Sequence, residues 1–195
     1  MKPQYILLAA IAATSLYAIA APATSLPEPW VLTGKSPQLY EAGIDQSATG
    51  GTKGAKFIRR IGNKEDDKSS DRDWATIMQQ IAADDYRGKR IRFQARVKAQ
   101  DVSDWAGLWM RIDSPSAYSA AFYNSQDKPI KGSADWQTRD VVLEVPKDAS
   151  VISFGIIDGG KGEVWIDALK LEVVNASVPV NVQGGHRPLS HKPSL

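Results

Sequence analysis

The chain has 195 residues, 24 Lys and Arg against 22 Asp and Glu, a formal net charge of +2 and no cysteine. A balance this close to neutral excludes the broad basic surface that nucleic acid or an anionic membrane requires. The missing thiols exclude disulfides, cysteine metal ligands and cysteine nucleophiles, so stability must come from burial and backbone ladders, which a single domain of this length can supply.

In chain order, the first element is a processing signal. Lys2 precedes the apolar run Ile6, Leu7, Leu8, Ala9, Ala10, Ile11, Ala12, Ala13, and Ala18-Ile19-Ala20 offers the small-x-small pattern of a cleavage site. The alternative is an anchor, but the stretch from Tyr5 to Ala23 contains Thr14, Ser15 and Pro22, lacks a positive stop-transfer flank and is marginal for the roughly 20 residues of a span, with Ala23 an alternative cut site. Residues 1–20 are therefore assigned to a signal peptide and 21–27 to a linker. Lys2 is the one charged residue of the signal, so the remainder holds 23 bases against 22 acids. The expected location is the periplasm or beyond, without stable membrane insertion.

The domain is expected over 28–174, opening at Trp30-Val31-Leu32 and passing through the charged loop Asn63–Asp73. Trp74–Ala82 is compatible with helix or strand. Lys89–Lys98 alternates Ile91, Phe93, Ala95 and Val97 against Arg90, Arg92, Gln94, Arg96 and Lys98, the period of a half-buried strand. Ala106–Asp113 does the same, with Leu108, Met110 and Ile112 opposite Trp109, Arg111 and Asp113. Further strands are expected at Tyr118–Asn124, Thr138–Val145, Val151–Ile157 and Val164–Val173, separated by turn clusters such as Ser114-Pro115-Ser116 and Asp158-Gly159-Gly160. Five or six strands without a long amphipathic helix indicate a sandwich or barrel. Residues 175–195, rich in Pro, Gly, Ser and His, read as a disordered tail.

The phrases "YRGKRIRFQARVK", "WAGLWMRID" and "DWQTRDVVLEVPKDASVISFGIIDGGKGEVWIDALKLEVV", with "WVLTGKSPQLYEAGID" upstream, resemble the jelly-roll modules of the galactose-binding-like superfamily, which includes many carbohydrate-binding modules, and a set of exported bacterial domains of the same type. The resemblance spans about 28–174. It implies an all-β, antiparallel jelly-roll β-sandwich that binds a saccharide on a sheet face or at loop tips, often with a structural calcium ion. Fold alone does not fix function.

The site expected from the residues is a polar sheet face. Arg92, Gln94 and Arg96 share one face of their strand, and Trp109 and Arg111 share one face of theirs. If the two strands pair, Trp109 would stack on a sugar while Arg92, Arg96, Arg111 and Gln80 bond its hydroxyls. Three guanidiniums would favour an anionic saccharide. Tyr123 and Trp136 would stand at the rim. The competing accounts are a solvated face on which arginines shield Trp109, and cross-strand packing for the other aromatics. Trp30, Trp74 and Trp165 read as structural.

For calcium, which needs six to eight oxygens, Asp167 in "VWIDALKLE" is the metal candidate implied by the resemblance, against a backbone-bonded structural role. The loop Glu65, Asp66, Asp67, Asp71, Asp73 is interleaved with bases and reads as solvated. Catalysis is not expected. His186 and His191 lie in the tail, no G-x-S-x-G, H-E-x-x-H or P-loop occurs, and nothing singles out a carboxylate pair such as Asp104 and Asp113 for glycoside chemistry. The chain is thus expected to be a non-enzymatic binding module, its partner a saccharide or, alternatively, an envelope protein.

Overall fold

A computed structural model describes residues 26–52, 54–61 and 73–183. The segment expected to be a signal peptide, most of the acidic loop and both histidines lie outside these residues. Among the described residues there are nine strands: β1 (Val31–Gly34), β2 (Tyr40–Asp45), β3 (Ala55–Arg60), β4 (Trp74–Ala82), β5 (Arg90–Ser114), β6 (Ala117–Tyr123), β7 (Ile130–Glu144), β8 (Val151–Gly159) and β9 (Glu163–Val174). Every pairing is antiparallel.

The organising element is β5, whose 25 residues take part in both layers of the sandwich. Its first half, Arg90–Gln100, lies between β7 and β9. Its second half, Trp105–Ser114, lies between β8 and β6. Between the halves the ladder with β7 slips three times, from Val97 to Ala106, and Asp101 adopts φ 53°. Such bulges bend and twist a strand, and here they carry the chain from one layer to the other. The result is an antiparallel jelly-roll β-sandwich. Its front sheet runs β1-β4-β8-β5-β6 and its back sheet β2-β3-β9-β5-β7.

Alternation then assigns the interior. Ile77, Leu108, Met110, Ile112, Ile152 and Ile156 point inward from the front sheet, and Ile58, Phe93, Val97, Val141 and Ile166 from the back. Each such side chain contributes about 1.5–3 kcal/mol by leaving water. Phe93 and Phe154 meet across the layers at 4.8 Å between ring centroids.

Several sequence expectations change. Trp74–Ala82 is a strand: Ala75 and Ile77 are inside, while Trp74, Thr76, Met78 and Gln80 form the other face. The strands expected at Lys89–Lys98 and Ala106–Asp113 are one strand, not neighbours. The expected strand Thr138–Val145 begins eight residues earlier, at Ile130. β2 and β3 were not anticipated, because Tyr40–Asp45 and Ala55–Arg60 are short and broken by Gly43 and paired basic residues. The first part of the expected disordered tail is hydrogen-bonded to the sandwich: Asn181 exchanges two bonds with Val142 of β7, and the Gln183 amide pairs with Asn124.

Candidate functional site

The front sheet carries a groove of about 720 Å³ on its outer face. Its floor follows from a complementary pattern on two adjacent strands. On β5, Trp105, Gly107 and Trp109 face outward; opposite them on β8 stand Gly159, Ile157 and Gly155. Each large side chain therefore faces a glycine. Trp105 leans over Gly159, so that a Cβ there would lie 3.2 Å from its Cδ1 and Nε1. Trp109 reaches across β8 altogether: its Nε1 donates to Thr76 Oγ1 on β4 at 2.7 Å, and Thr76 passes the bond to the Ile156 carbonyl at 2.7 Å. Gly155 is needed for the close approach of β4, since a Cβ would come within 2.1 Å of the Ile77 carbonyl oxygen. Met78, Trp109 and Ile157, flanked by Trp105 and Phe122, form an apolar cluster separate from the core.

Above this floor the groove is ringed by Trp74, 37% exposed, by Val31, Thr33 and Lys35 on the β1 side, and by Gln80, Arg111, Asn124 and Gln126. Gln80 Nε2 donates to Ser153 Oγ at 2.9 Å, and among the described residues its carbonyl oxygen accepts no hydrogen bond. Arg111 is pinned: its guanidinium is 3.0 Å from Asp113 Oδ2 and stacks 4.4 Å from the Tyr118 ring. Among the described residues no Asp or Glu lines the groove. The surface offers indole edges and faces, amides and hydroxyls, a set suited to the C–H faces and hydroxyl groups of an uncharged polar ring.

Of the residues named from the sequence, the structure brings Trp109, Gln80 and Arg111 together on this face. Trp109 differs from expectation in one respect. Only 5% exposed, with its N–H already bonded, it is the floor of the groove and not a free stacking platform. Arg92 and Arg96 lie on the outer face of the back sheet, because β5 changes layer between them and Trp109. There Arg92 donates to Glu172 Oε1, 2.9 Å from Nε, and Arg96 sits 5.9 Å over Trp136, which shares that face. Tyr123 points inward beside Met110, 2% exposed, its hydroxyl bonded to Asp127 Oδ1 at 2.5 Å. Burial, then the bond to Asp127, raises the Tyr123 phenol well above its usual value. The residues that sequence reasoning missed are Trp74, Trp105, Phe122, Asn124 and Gln126. The signal for Trp105 was present: extending the alternation Trp109, Gly107 one further step reaches it.

Asp167 does not have the surroundings of a calcium ligand. Its carboxylate accepts from Gly50 N (2.7 Å), Thr52 N (2.9 Å), Ala168 N (2.7 Å) and the Thr52 hydroxyl. Burial would raise its pKa, but these donors outweigh that and hold it below the usual range. N–H dipoles stand where carbonyl oxygens would have to be, so the residues do not fit the ion. Among the described residues no cluster of three or more His, Cys, Asp or Glu fits a metal. The pair Asp104 and Asp113 does not assemble either. Nine residues apart on one strand, they stand about 30 Å from each other, against the roughly 5–9.5 Å of glycosidase carboxylates. Asp113 is occupied by Arg111 and by the Ser119 N–H at 2.8 Å.

Comparison with known proteins places this architecture among jelly-roll modules. The fold resembles the CBM22-1 xylan-binding domain from Paenibacillus barcinonensis Xyn10C (TM-score 0.53, 9% identity, 78% of this chain and 90% of that one). It resembles equally part of the Clostridium thermocellum xylanase Xyn10B CBM22-1–GH10 modules complexed with xylohexaose (0.55, 11%, 78% and 27%), and part of the enzymatically active domain of bacteriophage CBA120 tailspike protein 4 (0.55, 13%, 75% and 20%). At these identities the likeness concerns the fold. No family model matches the chain. In sequence it is similar to the uncharacterized HTH-type transcriptional regulator YbfP of Bacillus subtilis strain 168, 38% identical over 155 residues, which cover 77% of this chain and 49% of the regulator. The chain thus spans about half the length of the curated relative it matches.

Proposed function

We propose that this chain is a non-catalytic module that binds a saccharide in the front groove. The observation that carries the reading is the position of Trp74 and Trp105: large aromatic side chains on the solvent side of a sheet, lining a groove with Gln80, Asn124, Gln126 and Thr33 around them. A sugar ring lies against the indoles while the amides bond its hydroxyls. The structural likeness to xylan-binding modules supports this choice of ligand class.

The ligand is a neutral saccharide rather than an anionic one. The case for negative charge needed Arg92, Arg96 and Arg111 side by side, and two of these lie on the other face while the third is neutralised by Asp113. The mature module acts outside the cytoplasm if residues 1–20 are removed during export, which N-terminal sequencing of the fractionated protein checks.

The test is a glycan array followed by titration of intrinsic Trp fluorescence with xylohexaose and the best array ligand. Trp74→Ala and Trp105→Ala should each weaken binding by about tenfold, the equivalent of ~1.4 kcal/mol, with far smaller effects on the melting curve. A silent array together with unchanged emission would sink the saccharide reading and favour docking on an envelope protein.

One observation supports a second reading. The relative at 38% identity is named a transcriptional regulator, and this chain matches about half of it. In that setting the same groove takes a small soluble ligand that is sensed rather than a polysaccharide that is held. Equal affinity for a monosaccharide and its long polymer favours the sensor; affinity that grows with chain length favours the polysaccharide module.

A further inference from the structure

The wall that bounds the groove beside β6 has a second side. Asn124 and Gln126 line the groove, whereas Tyr123, Ser125 and Lys128 line a separate cavity of about 240 Å³ at the open side of the sandwich, between the edge strands β6 and β7. Gly107 lets wall and sheet touch, since a Cβ there would lie 2.9 Å from Ser125 Cβ. Ser125 holds φ 60°, uncommon for a residue with a side chain, and its hydroxyl fixes it to the Leu108 carbonyl at 2.7 Å.

The cavity is furnished with hydrogen-bond donors. Arg139 enters from β7 on the same side of the strand as the buried Val141 and Leu143. Among the described residues its one hydrogen bond is from Nε to Gln137 Oε1, 3.0 Å, which leaves both terminal nitrogens of the guanidinium. Neither Arg139 nor Lys128 forms an ion pair with a described residue. The acid on this wall, Asp127, is engaged by the Tyr123 hydroxyl. Asp140 borders the cavity too, but it is paired in register with Gln94, so its side chain belongs to the outer face of the back sheet. Val142 turns its N–H and carbonyl to the free edge of β7, where Asn181 takes both. Strand alternation turns the Asp140 N–H the same way.

A guanidinium, an ammonium and a backbone N–H around a confined space match the fork geometry of an oxyanion. We propose that this cavity is a binding site for a small oxyanion of the carboxylate or phosphate class, gripped by Arg139 and closed over by Lys128. The site is independent of the saccharide reading, because Trp74 and Trp105 take no part in it.

The experiment is calorimetric titration of the full chain with inorganic phosphate at ionic strength held constant with chloride, with melting curves in parallel. Expected are a saturable one-site isotherm and a melting temperature that climbs with phosphate, as ligand linkage requires. Arg139→Gln should lower the affinity at least about tenfold, the loss of one charge-assisted hydrogen bond. Lys128→Gln, on an exposed side chain that does not support the fold, should lower it less while melting normally without phosphate. Excluded salts stabilise any folded protein, so an equal rise in all three proteins, or heats that never saturate, overturns the proposal.

Discussion

The two outer faces of the sandwich begin from the same strand alternation and end as different surfaces. On the back, every large aromatic is covered by a cation: Arg96 lies over Trp136 at 5.9 Å and Lys98 over Trp165 at 5.2 Å, with Trp165 Nε1 held by Asp45 at 3.0 Å. Around them run the ladders Arg90–Glu144, Arg92–Glu172–Lys170 and Arg59–Glu41. On the front, the residues beside the tryptophans are glycines, so the indoles lie down across β8 and leave a hollow above themselves. The contrast shows that an aromatic on a sheet face borders a concavity only when its cross-strand neighbour is small enough to leave one. A long charged neighbour fills the same space and closes it.

The largest effect is expected at the notch itself. Gly155→Val forces a side chain into the β4 backbone, so the chain should lose about 4 kcal/mol or more and fail to show a cooperative melt by circular dichroism. A milder outcome would mean that the glycines do not shape the groove. Next, Trp109→Ala removes the floor. Its nearly complete burial predicts a loss of about 3–5 kcal/mol, readable in urea unfolding, whereas a stacking platform open to solvent would leave stability almost intact.

Third comes the acid beneath the groove. Asp158 faces inward from β8, between Ala75 and Ala106, and among the described residues neither carboxylate oxygen has a hydrogen-bond partner. Burial raises its pKa well above the usual carboxylate value, opposed by nearby Arg60 and reinforced by Glu163. Tyr40, which bonds the Gly160 carbonyl at 2.8 Å, and the Arg60–Asp73 pair stand close by. The folded chain therefore keeps a proton that the unfolded chain has released. Stability falls as pH rises from the ordinary carboxylate range through the raised value, with a slope of up to about 1.4 kcal/mol per pH unit for one proton. Asp158→Asn should remove that slope from the melting temperature measured across pH; an unchanged slope would assign it to another group. The smallest effect is expected on the back. Arg92→Ala breaks a partly exposed ion pair and should cost less than about 1 kcal/mol, with saccharide titrations superimposable on those of the unaltered chain.

Much of this was legible in the sequence, and the failures have one physical origin. Alternation correctly put Leu108, Met110 and Ile112 on the opposite side from Trp109, Arg111 and Asp113, and it separated Arg92 and Arg96 from Phe93 and Val97. It reports only which side of its own sheet a residue faces. Which sheet the residue belongs to depends on non-local pairing, and β5 passes between sheets, so arginines and tryptophan that share a strand look out from opposite sides of the molecule. The bulges from Val97 to Ala106 that effect the change have no signature in a period-two pattern. Tyr123 failed for a simpler reason: its neighbour Phe122 holds the outward position, and only the pairing with Met110 sets that parity. Trp74 opens its strand, where alternation has no preceding residue to start from.

The continuity of β5 also governs how the molecule comes apart. A sandwich whose layers share no strand can shed one and keep the other as a partly ordered remnant. Here any force or denaturant that strips the back layer pulls on the same 25-residue chain that anchors the tryptophan hollow. Local opening of the kind that separates stable from labile regions therefore has no seam to follow. The front groove and the hydrophobic interior should be lost in a single step, with no intermediate that retains one of them.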